Sequence, residues 1–221
     1  MFKNLKITAK MGSPIAITEN INLDTLILLG ALKCKLGEEF YYRQDNTYCS
    51  IEEAKEILSP ILDMELDVFC ASYGFGNSKE FVTRWSKRFC NKNDNLIMFT
   101  GKGKQRIETG SGHFKNYHMP LVVKSFKEVI FYARGNEEEI EKALNYVYYI
   151  GKKSSQGYGE VREWVIEEIE ENFSILDHFS NPMRNIPARL ISNLDVSKKY
   201  EFKEMALYPP YRRKEKELCI I

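Results

Sequence analysis

Gly151-Lys152-Lys153-Ser154-Ser155-Gln156-Gly157-Tyr158-Gly159 separates a stretch with helical patterning from one with strand patterning. Upstream, Asn136 and Glu139 form a capping-box pair. Ile140, Ala143, Leu144 and Val147 then supply an apolar stripe at helical spacing. Glu137, Glu138 and Glu139 suit the positive end of that helix's dipole. Gly151 stands where a left-handed cap would close the helix. Downstream, residues 160–167 read as a strand. The loop is not a nucleotide-binding P-loop. Tyr146 occupies the position of the required first glycine, and Lys153 replaces the Ser or Thr after the lysine. At a helix C-terminus the dipole would also repel phosphate, so anion attraction must come from Lys152, Lys153 and loop amides. Glycine lets another backbone approach closely, and Tyr158 offers a stacking face.

The rest of the chain has the same alternation of elements. Leu5, Ile7, Ala9 and Met11 face one way and Lys6, Thr8 and Lys10 the other, which predicts a strand with one wet face over 3–11. Gly12, Ser13 and Pro14 end it. Asn22 can cap a helix carrying Leu26, Leu29 and Leu32. Ser50 and Glu53 form a second capping box ahead of a short helix limited by Pro60. Residues 64–73, with Leu66, Val68 and Cys70, read as a buried strand. In 81–89, Phe81, Thr83 and Trp85 alternate with Val82, Arg84, Ser86 and Arg88, a strand with one aromatic and one basic face. A turn at 91–95, a short strand at 96–100 and a Gly- and Lys-rich loop at 101–112 follow. Residues 128–133 form a further strand.

This order, without the insertion at about 76–118, is β-α-β-β-α-β. We therefore expect an α+β chain with a ferredoxin-like (RRM-like) core over 1–170. A long basic β-hairpin would be inserted in it. A C-terminal extension, 171–221, carrying Pro182, Pro187, Pro209 and Pro210, would wrap on the core or meet a partner.

The composition is that of a globular protein, 43% hydrophobic and 29% charged over 221 residues. No apolar run is long enough to span a bilayer and the N-terminus lacks a signal-peptide pattern, so a cytoplasmic protein is expected. Cys34, Cys49, Cys70, Cys90 and Cys219 are scattered without a C-x-x-C pair, which indicates neither a disulfide framework nor a metal site. No cofactor motif stands out. The net charge of +1 conceals a division. Residues 84–115 hold eight basic side chains (Arg84, Lys87, Arg88, Lys92, Lys102, Lys104, Arg106, Lys115) against Asp94 and Glu108, net +6, so the remainder is −5. One cationic surface on a mildly acidic body is the footprint of a polyanion site, or else of a solvated hairpin without a ligand.

A glycine loop between the last helix and last strand of such a fold resembles the hallmark of the RAMP superfamily of CRISPR-associated proteins. Further segments occur in order. They are Ser13-Pro14-Ile15 with Leu23-Asp24, Gly112-His113-Phe114-Lys115-Asn116-Tyr117-His118-Met119-Pro120, Phe131-Tyr132-Ala133-Arg134-Gly135, the loop itself, and Pro182-Met183-Arg184-Asn185-Ile186-Pro187. Together they are similar to the Cas-five-like subunit of type IV CRISPR complexes. That resemblance implies a non-catalytic subunit that caps the 5′ handle of the crRNA. It also implies contact with the backbone filament subunit and a large-subunit-like protein, and it makes the insertion a thumb pressed on the guide.

Arg84, Lys87, Arg88, Lys102, Lys104, Arg106, Lys115, Lys152 and Lys153 are then the phosphate-holding candidates. Tyr117, His118, Ser154, Gln156 and Tyr158 are further RNA contacts, Gly151, Gly157 and Gly159 shape the loop, and Arg184 either anchors the tail or touches RNA. Single-stranded handles are recognised by stacking plus phosphate contacts. Trp85, Phe89 and Tyr117 are the stacking candidates, with Trp85 read as core packing. Two alternatives stand beside this. A metal-independent endoribonuclease could use His113, His118 and Lys115 for proton transfer. A partner-binding module would have no nucleic-acid role.

Overall fold

The computed structural model describes residues 1–17, 20–42, 49–90, 92, 107–193, 199–211 and 216–221. Among these described residues it is a mixed α/β structure with four helices and several small antiparallel sheets. The expected turn at 91–95 and strand at 96–100 lie outside the described residues, apart from Lys92, as do Lys102, Lys104 and Arg106.

The central sheet holds β1 (Lys3–Met11), β6 (Glu128–Gly135) and β7 (Val161–Glu168), in the order β6-β1-β7. The apolar face of β1 is realised as read, for Leu5, Ile7 and Ala9 are fully buried, but Thr8, expected on the wet face, is buried as well. In register, Ile7 lies between Phe131 and Ile166, and Ala9 between Val129 and Trp164. Helices α1 (Leu23–Leu36), α2 (Glu39–Tyr42), α3 (Ile51–Leu58) and α4 (Glu137–Leu144) contribute Leu23, Ile27, Phe40, Leu58, Ile140 and Leu144 to the same core. In both predicted capping boxes the N-cap half forms, Glu53 N donating to Ser50 Oγ at 3.0 Å and Glu139 N to Asn136 Oδ1 at 3.4 Å, while Asn136 N donates to Ile61 O at 2.8 Å and not to Glu139. Asn22 sits at the N-cap of α1 but makes no side-chain cap bond. Gly30 is where α1 meets α4, because a Cβ there would lie 2.0 Å from the Ala143 carbonyl oxygen.

The stretch read as one buried strand over 64–73 is broken. It folds back as a hairpin of β2 (Met64–Glu65) and β3 (Val68–Phe69), with Leu66 and Asp67 both at positive φ. Two such residues make a tight hairpin turn whose twist matches its strands. The chain then runs along the outer edge of β6 through single bridges, Ala71 to Ala133 and Phe75 to Ile130.

β4 (Ser78–Lys87) and β5 (Tyr117–Phe126) form the hairpin of the insertion, paired from Ser78 opposite Phe126 to Lys87 opposite Tyr117. β5 escaped the sequence reading. Pro120 argues against a strand, and with Val123 its one buried residue the strand lacks the alternating burial that marks one. The ribbon's base is rooted by buried Val123 and by Phe126 against the core.

The C-terminal region forms a second small sheet, β8 (Ile186–Pro187), β10 (Glu217–Ile220) and β9 (Phe202–Met205), ordered β8-β10-β9. Ile186, Leu207, Cys219 and Ile220 pack with Val68 and Cys70 into a separate apolar cluster. Among the described residues no helix is long and apolar enough to cross a membrane.

Candidate nucleic-acid interface

The glycine loop is not a helix cap. α4 ends at Leu144, and Asn145 closes it in a right-handed conformation. The chain then takes an extended path that buries Val147 and Ile150. Residues 148–150 pair back on 159–161, with Ile150 N donating to Gly159 O at 2.8 Å and Val161 N to Tyr148 O at 2.9 Å. Gly151 therefore lies beyond the last turn of α4, outside the short reach of its C-terminal dipole.

Between these arms, Lys153 adopts φ +65° and Ser154–Gln156 makes one 3₁₀ turn. Gly157 (φ +83°) returns the chain, with its N–H donating to Ser154 O at 2.9 Å. A Cβ on Gly159 would stand 1.8 Å from Ile150 O, and one on Gly151 2.7 Å from Ile15 Cγ2. The loop packs where only glycine fits.

Its partner is the segment after β1. Gly159 N donates to Pro14 O, Lys152 N to Ala16 O and Glu160 N to Ser13 Oγ, at 2.8, 2.9 and 2.9 Å. Ile15 in turn exchanges two 2.8 Å backbone bonds with Lys124 of β5. Residues 13–16 thus join the glycine loop to the base of the hairpin. Their sequence signal was a short segment of the family resemblance, with no local pattern that tells of this role.

The junction continues through side chains. Lys153 Nζ lies 3.3 Å from the centroid of the Trp85 ring. The Trp85 and Tyr117 centroids are 4.8 Å apart, and Lys87 Nζ is 5.8 Å from the Tyr117 centroid. Lys153, Trp85, Tyr117 and Lys87 form a row with a cation at each end. Trp85, read as core packing, is half-buried on the exposed ribbon. On the alternate side-chain positions, Ser86 Oγ is 2.5 Å from His118 Nδ1 and Arg84 Nη1 is 3.5 Å from His118 Nε2. Near the end of the ribbon, Lys87 Nζ donates to His113 O at 3.1 Å, and Phe89 and Phe114 pack edge to face.

The cations divide in two. On the sheet, Lys6 pairs with Glu167 at 3.2 Å and Lys10 with Glu163 at 2.7 Å. On the hairpin and loop, Lys87, Arg88, Lys115, Lys152 and Lys153 make no ion pair among the described residues, and all but half-buried Lys153 are exposed. Uncompensated exposed charge projects its field into solvent, whereas the matched pairs cancel theirs. Ser154 and Gln156 are exposed at the loop tip and Tyr158 is half-buried beneath it.

Arg184 does not belong to this surface. It is 1% exposed and donates to the carbonyls of Phe69, Ala71 and Leu207 and to Asp24 and Tyr211. A buried guanidinium needs all these acceptors, so its place is structural. Among the described residues no three His, Cys, Asp or Glu side chains converge as metal ligands, and the five cysteines form no disulfide with one another.

A family model described as CRISPR type IV associated protein Csf3 matches residues 75–220, from the foot of the hairpin through the glycine loop to β10. No curated protein matches the chain.

Proposed function

The chain belongs to the Csf3 family of type IV CRISPR-associated proteins, and from that premise we propose that it is a non-catalytic subunit holding the 5′ handle of the guide RNA. The observation that carries the reading is the junction of hairpin and glycine loop. Residues 13–16 tie the two backbones together, and Lys153 reaches across to Trp85. Two cationic segments distant in sequence thereby present one continuous surface with aromatic faces between the charges. Cationic grooves with stacking faces bind single strands.

In this reading the β6-β1-β7 sheet with α1 and α4 is a ferredoxin-like core whose second strand is replaced by the broken segment along β6. The core spans residues 1–170, the hairpin is the thumb, and residues 171–221 are an extension fastened to the core. The protein acts in the cytosol. Its neighbours are the filament subunit and a large-subunit-like protein. His118 fits RNA contact better than proton transfer, since its two ring nitrogens face Ser86 and Arg84, while the His113 ring packs on Phe114.

The test is assembly of the effector complex from the whole locus, with Lys152 and Lys153 both changed to Ala. Loss of co-purifying guide RNA is expected, and assembly at the wild-type RNA content overturns the loop assignment. A second arm incubates the protein with labelled repeat RNA in EDTA. Intact RNA is expected, and a specific cut that disappears in His118→Ala would make the protein a nuclease.

A further inference from the structure

Lys153 combines two unusual features. It holds a left-handed backbone conformation, which disfavours any side chain but glycine. Its ammonium also lies 3.3 Å from the Trp85 ring centre, in the space a stacked base would occupy. Trp85 neighbours a second aromatic ring, Tyr117, and a second cation, Lys87, in the same row. Of the residues of β4 and β5 only Val123 is buried, so core packing does not account for the indole. A lysine on a ring that solvent still reaches is held weakly, whereas a phosphodiester offers it a full negative charge.

We propose that the Trp85 face is a nucleobase site covered by Lys153. A single-stranded RNA draws Lys153 onto a phosphate and seats one unpaired base on the uncovered indole, beside Tyr117. The proposal rests on the RNA-holding reading and adds to it a base-recognising position and the residue that guards it. The ligand class is an unpaired nucleotide within a strand, since it must bring both a ring and a flanking phosphate. Tolerance of any base is expected, because every base has a π-face.

The experiment uses the full chain and three probes: a single-stranded RNA, a strand of equal length with abasic positions, and inorganic polyphosphate. Tryptophan emission is followed in the wild type and in Trp85→Phe, so that the difference isolates Trp85 from Trp164. RNA is expected to quench the Trp85 component and the abasic strand to leave it unquenched. Trp85→Ala should weaken RNA binding about tenfold with no effect on the abasic strand, and Trp85→Phe should restore most of the loss. Lys153→Ala should weaken all three probes while RNA still quenches Trp85. Equal losses for RNA and abasic strand in Trp85→Ala, or no loss at all, would overturn the base site and leave the RNA reading standing. If the wild type binds no RNA, both fall together.

Discussion

The guanidinium of Arg184 and the carboxylate of Asp24 lie 3.3 Å apart inside the protein, though 160 positions separate them in sequence. Asp24 belongs to the first turn of α1, and Arg184 lies two residues before the start of β8. Tyr211 donates its hydroxyl to the same carboxylate, and Arg184 also reaches the carbonyls of Phe69, Ala71 and Leu207. One side chain therefore ties the first helix, the segment along β6 and the C-terminal sheet. Removing one partner strands the other charge without water. Arg184→Ala and Asp24→Ala should each cost about 3–5 kcal/mol in urea denaturation. The double replacement should cost less than their sum. Arg184→Lys, if folded, should leave the salt dependence of RNA binding unchanged, because the residue faces inward.

The divided cations give a second prediction. Each phosphate contact on a single strand contributes about 0.7 to the slope of log K against log salt. Lys87→Ala, Arg88→Ala and Lys115→Ala should each flatten that slope by about this amount. Lys6→Ala and Lys10→Ala should leave it unchanged, since Glu167 and Glu163 already neutralise those lysines. A filter-binding titration of a single-stranded RNA at several salt concentrations separates the two groups. Equal slopes for both would mean that the hairpin is a solvated element without a ligand.

What could be read from the chain in advance was what neighbouring residues decide. The apolar face of β1 and the caps at Ser50 and Asn136 report local geometry, and the structure realises them. The net charge of the hairpin was equally local. What failed was non-local. Gly151 looked like a helix cap, but Val147 and Ile150 have core sites that draw the chain out of the helix already after Leu144. The apolar run through Val68 and Cys70 looked like one strand, but it serves the second cluster as well as the edge of β6. Trp85 looked like core because tryptophan usually is. Nothing near it in sequence indicates that Lys153 covers it.

Burial also sets a dependence on pH. The Cys70 thiol is pushed up to about 11 by burial. Burial raises Cys219 as well, and burial beside the Asp24 carboxylate raises Tyr211 further. In the unfolded chain a thiol releases its proton at about pH 8.5. Above that value the folded state holds more protons than the unfolded one, so stability falls as pH rises. The contribution of Cys70 is fully present below about pH 8.5 and is lost as pH climbs toward its folded value. Urea midpoints should therefore decline between about pH 8.5 and pH 10.5, and Cys70→Val should make the decline shallower. Alkylation followed by mass spectrometry at neutral pH should modify exposed Cys90 first and leave Cys70 and Cys219 intact in the folded protein.

The three loop glycines should differ in cost, although all have positive φ. A Cβ on Gly159 meets the backbone of Ile150 at 1.8 Å, and backbone cannot swing aside. Its N–H also holds Pro14 and its carbonyl holds Ile150. Gly159→Ala should therefore cost about 3 kcal/mol or more and detach the loop from residues 13–16. On Gly151 the nearest atom is the Ile15 side chain at 2.7 Å, followed by Ala16 O at 3.0 Å. A side chain yields more readily than backbone, so Gly151→Ala should cost about 2 kcal/mol. Gly157 faces open space. Its replacement meets only the left-handed penalty, about 1 kcal/mol for Ala and less for Asn, which tolerates that conformation. Denaturation of the three Ala variants should rank them in this order, and RNA binding should follow it, since the loop carries Lys152 and Lys153. If Gly157→Ala weakened RNA binding while Gly159→Ala did not, the surface would depend on the loop tip alone and not on its junction with the hairpin.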